Sequence, residues 1–387
     1  MKLLFTLQNF PPSKFGGISS SMYSIIKGLN DAGYEIKVLT TNFKLPNQSG
    51  IKTNEWIKYE GISVNYIKTK FYAFSFKMFF EGLKQIVKSD QIHISSLFYF
   101  PSLLFVIIAK LTGKIVILTP HGELQEPALK FKSWKKTPYL ILLQIIFRNA
   151  IFRATSEDEA YRIRMYFTNS KIVIIPNFFN LTLPLNKNKL KQFLFLGRIC
   201  KIKKIENLIL ACSISKFFIT SNYSLMIAGP SDPEFQQYET MLKELISSNN
   251  LDKNVKFIGE VNSPQKEVLL SQSKALFLVS HSENFGNVVI ESLAQGTPVV
   301  ASLGTPWQSL AEKKCGYWVE NSPESIAQII DDLILIEDEK YKSMSSNSIS
   351  LSKEFSIENL LPRWEALING TYMKRLTIPD KVCQSIR

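Results

Sequence analysis

The stretch Ser282–Ala301, SENFGNVVIESLAQGTPVVA, decides how the chain is read. It carries two glutamates, Glu283 and Glu291, with seven residues between them. The apolar run ALFLVS (Ala275–Ser280) just ahead has the length of a buried strand. His281–Gly286 is then a loop at a carboxyl strand end, where open α/β sheets bind ligands. A helix is expected from near Asn287 to Gln295, with Gly296 as its stop and Pro298 just beyond. Glu283 lies in the loop and Glu291 about one turn inside the helix. Backbone amides across Asn284, Phe285, Gly286, Asn287 and Val288 are helix-start donors, suited to a sugar hydroxyl or a phosphate oxygen. Each carboxylate can accept hydrogen bonds from a pair of vicinal hydroxyls. A plain surface loop would account for Glu283 alone, but not for the two acids, the Phe-Gly between them and the Gly-Thr-Pro exit together.

Outward from this segment, strands alternate with helices in both directions. FLFLGR (Phe193–Arg198), SLMIAGP (Ser224–Pro230), VKFIGE (Val255–Glu260) and TPVVAS (Thr297–Ser302) read as strands between helical stretches. An earlier series contains KLLFTL (Lys2–Leu7), EIKVLTT (Glu35–Thr41), QIHISS (Gln91–Ser96), KIVILTP (Lys114–Pro120) and KIVIIPN (Lys171–Asn177), with a helix expected over Ser19–Gly33. The polar tract Leu181–Gln192 separates the two series as a linker. The expected fold class is therefore α/β, with two Rossmann-like, doubly wound parallel-sheet domains facing a cleft. Domain limits are placed at 1–187, 188–360 and a C-terminal helix in 361–387.

At 387 residues the chain exceeds one ordinary core, and 45% hydrophobic with 20% charged residues is globular composition. No run reaches the roughly 18 apolar residues that span a bilayer. The N-terminal MKLLFTLQNF is expected to be a buried strand, not a signal peptide. Cys200, Cys212, Cys315 and Cys383 lack metal-ligand spacing and fit a reduced, cytoplasmic setting. Charge is uneven. Residues 1–187 hold 24 Lys+Arg against 11 Asp+Glu, a net of +13, whereas residues 188–387 hold 22 of each. Such asymmetry points to an anionic partner for the first half: a phosphate-bearing substrate, an anionic membrane surface or nucleic acid.

The segment resembles the Glu-x7-Glu signature of retaining glycosyltransferases of family 4 (glycosyl transferases group 1), which have the GT-B fold, and the resemblance extends over nearly the whole chain. It implies that Glu283 contacts hydroxyls of a donor sugar and Glu291 the nucleotide ribose. GRICKIKKIENL (Gly197–Leu208) resembles the family's phosphate-binding segment. There Arg198 and Lys203 converge on a diphosphate, and Lys204 stands where many members have glycine. Gly16 and Gly17 match its N-terminal glycine loop. His121-Gly122 matches its His-Gly pair at the sugar end, so His121 is expected at the reaction centre. Glu123 and Glu126 fit either an acceptor contact or a helix cap. His93 and His281 are expected to be structural. In IIPNFFN (Ile174–Asn180), Phe178 and Asn180 replace the family's glycine and aspartate, and FSIENLLPRWEALI (Phe355–Ile368) resembles its terminal helix, which returns to the first domain.

The implied reaction is hexosyl transfer with retention from a nucleotide-diphosphate sugar to a saccharide acceptor on a lipid diphosphate, in surface polysaccharide biosynthesis. Without an Asp-x-Asp triplet, metal independence is expected, and no cofactor beyond the donor. Lys130, Lys132, Lys135 and Lys136 around Phe131 and Trp134 fit an anionic bilayer interface, which suggests a peripheral position on the inner face of the cell membrane. A nucleotide-sugar epimerase or phosphorylase on the same fold is the alternative. A nucleic-acid binder would suit the basic charge, but no recognition module is present.

Overall fold

The computed structural model describes residues 1–13, 16–46, 49–69, 75–130, 133–182, 184–185, 189–231 and 235–372, with the side chains of 133–137 excepted. It divides into two compact units. One comprises Met1–Phe178 with the chain from Ile357, and the other Phe179–Ser356. The division thus falls ahead of the polar tract 181–192.

The first unit is built on β1 (Lys2–Thr6), β2 (Glu35–Thr41), β3 (Trp56–Tyr59), β4 (Ile62–Ile67), β5 (Gln91–Ser95), β6 (Ile115–Thr119), β7 (Ile151–Ala154) and β8 (Lys171–Ile174). Their order is β3-β4-β2-β1-β5-β6-β7-β8. Every pairing is parallel except β3 with β4, an edge hairpin that the sequence reading did not contain. Helices α1 (Gly16–Asp31), α2 (Phe76–Lys88), α3 (Phe100–Leu111), α4 (Glu126–Lys130), α5 (Ser133–Ile146) and α6 (Glu157–Tyr166) connect the strands. α1 begins at Gly16 and not at Ser19, so both glycines of the first loop open the helix.

The second unit has β9 (Gln192–Leu196), β10 (Ser224–Ala228), β11 (Val255–Gly259), β12 (Ala275–Leu278), β13 (Val299–Ser302) and β14 (Gly316–Val319), in the order β11-β10-β9-β12-β13-β14, all parallel. Its helices are α7 (Ile205–Ile214), α8 (Gln236–Ser248), α9 (Ser263–Gln272), α10 (Asn287–Ala294), α11 (Ser309–Glu312), α12 (Pro323–Leu335) and α13 (Asp338–Lys353), with a short 3-10 turn at Lys201–Lys203. β12 and β13 are buried at every position, as strands covered on both faces must be. The order reverses between β9 and β12. The loops leaving those two strands therefore diverge and open a crevice at the switch point.

The last helix, α14 (Ile357–Ile368), belongs to the first unit. Its Trp364 is buried between the His93 ring, at 5.9 Å, and the Arg153 guanidinium, 5.3 Å from the indole centroid. Phe178, in place of the family's glycine, is buried and packs with Ile357 over Gly28. Among the described residues no helix is long and apolar enough to cross a membrane.

Candidate functional site

The switch point of the second unit carries the predicted residues. β9 ends at Leu196, and the chain turns through Gly197 and Arg198 into the 3-10 turn that ends at Lys203. Arg198 is exposed there and hydrogen-bonds none of the described residues. Lys204 takes a left-handed backbone, φ 51°, between the 3-10 turn and α7. That conformation explains why glycine suits the position. An L-residue in it carries a penalty of about 1 kcal/mol.

From β12 the chain enters the loop 281–286. Bonds to neighbouring loops fasten it. The His281 amide donates to Ile202 O at 2.7 Å and the Glu283 amide to Gly304 O at 3.0 Å. The Trp307 indole N–H donates to Phe285 O, and the rings of Phe285, Trp307 and Phe355 lie 5.4–6.0 Å apart in one cluster. Gly286 precedes α10 at φ 78°, and a Cβ on it would stand 2.9 Å from Leu278 Cδ2. The N-cap position of α10 is this glycine, which has no side chain to close the first turn.

Two ion pairs occupy this region. Lys203 Nζ pairs with Glu283 Oε2, both side chains under one-fifth exposed. Lys266 Nζ, from α9, pairs with Glu291 Oε1 at 2.7 Å. Loops from β9 and β12 thus bring Lys203 and Glu283 into contact, with Arg198 on the same loop as Lys203. Glu291 lies one turn into α10 with a different cation. A cavity of about 350 Å³ at the ends of β12, β13 and β14 is lined by Ser280, His281, Leu303, Gly304, Glu320, Asn321 and Ser322. None of the predicted carboxylates lines it. Among the described residues no group of three or more His, Cys, Asp or Glu is placed to hold a metal.

The first unit holds the other predicted residues. Gly16 and Gly17 are exposed at the start of α1, where Gly16 has φ 63°. His121 follows β6 with a left-handed backbone, φ 54°, and Gly122 with φ 81°. The Gly122 amide donates to Glu159 Oε1 at 2.7 Å, while Thr155 donates to Glu159 Oε2 from its amide and its hydroxyl, each at 2.7 Å. Glu159 is 2% exposed, so this carboxylate fixes the His-Gly turn. His121 Nε2 is sealed from solvent and meets no hydrogen-bond partner among the described residues. Burial, with the Arg153 cation adding to it, lowers the imidazole to about 3, so it is neutral at ordinary pH.

Glu123 accepts from Ser96 Oγ and from the amides of Leu97 and Phe98, ahead of α3, and Glu126 pairs with Lys130. Both acids thus have local structural partners. His93 is stacked on Phe5 at 4.4 Å and His281 is exposed. Cys200, Cys212 and Cys315 are free and buried. Of the basic–aromatic stretch, Phe131 and Lys132 lie outside the described residues, as do the side chains of Trp134, Lys135 and Lys136. Cys383 lies outside them too.

The sequence reading missed Glu159, Lys266 and Trp307. Ser156-x-x-Glu159 has the form of a capping box, and Ser156 Oγ does accept from the Glu159 amide. The glutamate side chain turns away to Gly122 and Thr155 instead. Trp307 had a visible signal, a large aromatic directly after a second Gly-Thr-Pro, Gly304–Pro306. Lys266 had none.

Two family models together span most of the chain. "Glycosyltransferase Family 4" matches residues 15–183 and "Glycosyl transferases group 1" matches residues 183–350. The chain belongs to the group 1 glycosyltransferases of family 4. An uncharacterized glycosyltransferase of Methanocaldococcus jannaschii is 34% identical over 146 residues, which is 37% of this chain and only 36% of that protein. A second from the same organism is 25% identical over 384 residues, 96% of each. HepE of Anabaena, in complex with UDP-glucose, superposes with a TM-score of 0.75 at 18% identity, over 96% of this chain and 100% of that one. The fold is GT-B.

Proposed function

We propose that this family 4 chain moves a hexose, with retention, from a nucleotide-diphosphate sugar to a growing saccharide on a lipid diphosphate, in surface polysaccharide assembly at the inner face of the cell membrane. The observation that carries the reading is the Lys203–Glu283 pair, set at the switch point just ahead of α10. In the free protein the two charges neutralise each other. A donor diphosphate takes Lys203 and Arg198, which frees Glu283 to accept from sugar hydroxyls, while Glu291 accepts from the ribose. Departure of the nucleotide concentrates negative charge on the diphosphate, and fixed cations stabilise that charge without a metal. The acceptor attacks on the leaving-group face, so catalysis is mostly positioning and leaving-group electrostatics. The neutral His121 imidazole serves the sugar end through a hydrogen bond, not a charge. HepE, crystallised with UDP-glucose, supports a nucleotide-sugar donor.

A thermal-shift series with nucleoside diphosphates and their sugars tests the roles. Glu291→Ala should lose the nucleoside diphosphate shift. Glu283→Ala should keep it and lose at least about a hundredfold in turnover. The reverse pattern would overturn the assignment. Turnover should be unchanged by EDTA, and isomerised sugar without glycoside would identify an epimerase instead.

A further inference from the structure

Helix α2 of the first unit has one side packed among the described residues and another that stays largely exposed. Met78, Gly82, Gln85 and Ile86 are its buried side, and Gly82 lets α3 approach so closely that a Cβ there would meet the Phe105 ring at 2.1 Å. On the opposite side Phe80 is 62%, Leu83 37% and Val87 53% exposed, and Phe76 continues the row at 72%. At 3.6 residues per turn these four fall within an arc of about 60° and extend about 16 Å along the axis. Lys77, Lys84 and Lys88 are exposed along one flank, and none of the three makes a salt bridge with a described residue. The helix has one acid, Glu81. It is half-buried and engaged, accepting from Trp56 Nε1 at 2.8 Å and Gln85 Nε2 at 2.7 Å. The solvent-facing side of α2 is therefore aromatic or aliphatic along its crest, cationic along its edge and free of exposed acid.

We propose that this face is a docking surface for an anionic lipid bilayer, in which α2 lies in the interface plane with Phe80, Leu83 and Val87 among the acyl chains and the three lysines at the headgroups. Charge complementarity selects this occupant. A second copy packed antiparallel on α2 across a two-fold axis would set lysines against lysines, and one packed parallel would offer the lysines no exposed acid of α2. A bilayer with acidic headgroups supplies both the apolar layer and the negative charge above it. The net of +13 in residues 1–187 adds a long-range attraction of the same sign. The surface is separate from the ion-paired loops of the second unit, and its test needs neither donor nor acceptor.

The test is co-sedimentation of the full chain with vesicles of equal phosphatidylglycerol and phosphatidylcholine, against vesicles of phosphatidylcholine alone. The chain should bind the first and not the second. Phe80→Ser with Val87→Ser should weaken binding at least about tenfold, and each of Lys77→Gln, Lys84→Gln and Lys88→Gln about fivefold. Because these side chains face solvent, the melting temperature and the shift given by a nucleoside diphosphate should stay as in the parent. Failure to bind anionic vesicles would overturn the proposal, as would binding unchanged in both sets of variants. It would equally fall if sedimentation velocity showed a dimer that Phe80→Ser with Val87→Ser dissociates, since a second copy would then cover the face. Loss of vesicle binding with the nucleotide shift intact separates this proposal from the donor-site reading.

Discussion

Two histidines without charge illustrate what single residues contribute. Burial lowers both His93 and His121 to about 3, against an ordinary value near 6.5. Below pH 6.5 the unfolded chain takes up a proton at each position that the folded chain refuses, so folding loses ground as pH falls from 6.5 toward 3. Above 6.5 the stability is fully present. The slope is about 1.4 kcal/mol per pH unit for His93 alone. Denaturant midpoints at pH 7 and pH 5 should differ accordingly, and His93→Phe, which keeps the stack on Phe5, should remove its share of the slope. A chain whose stability is flat across that interval would contradict the burial of the His93 ring and of His121 Nε2. The sequence reading expected a functional His121, from its place at a strand end and its match to the family's His-Gly pair, and a structural His93, because an isolated histidine usually is one. It could not reveal Glu159, whose partner Gly122 lies 37 residues away and whose own surroundings have the form of a helix cap.

At the scale of elements, the loop carrying Glu283 and the turn at Gly304–Trp307 form one device. Three hydrogen bonds join or brace them: the Glu283 amide to Gly304 O, the Trp307 indole to Phe285 O, and the Trp318 indole to Thr305 O at 3.1 Å. This fastening holds the start of α10 in place before any ligand arrives, which is the preorganisation that positioning catalysis requires. Trp307→Phe keeps the ring cluster and removes only the N–H. It should cost about 1 kcal/mol of stability by leaving the Phe285 carbonyl unpaired. If the fastening serves the donor, nucleoside diphosphate affinity should fall about fivefold in calorimetry. Unchanged affinity with lowered stability would make Trp307 a purely structural brace. The limits of α10 were legible because Gly286, Gly296 and Pro298 punctuate it. The β3–β4 hairpin was not, since Lys58 and Glu60 interrupt its apolar pattern. Nor was β7, where Arg153 stands in the middle of a four-residue strand and is nevertheless wholly buried, donating to Ile175 O and Asn177 Oδ1.

The whole molecule is two units of unequal independence. Phe179–Ser356 is contiguous, with its own six-stranded sheet and the ion pairs of the proposed donor site. The first unit is interrupted, because its last helix arrives only after the chain has completed the second. That helix is no ornament. Leu360, Trp364, Leu367 and Ile368 are each buried to 2% exposure or less, and Ile357 packs with Phe178 at Gly28. Emptying the seat of one such aromatic costs about 3–5 kcal/mol, and removing all four side chains exceeds the 5–15 kcal/mol that typically separates a folded domain from its unfolded chain. Residues 179–356 expressed alone should therefore melt cooperatively and retain the thermal shift with a nucleoside diphosphate. Residues 1–178 alone should give no cooperative melt, and restoring 357–372 through a flexible linker should recover it. A stable 1–178 fragment would show that α14 decorates the first unit and does not complete its core.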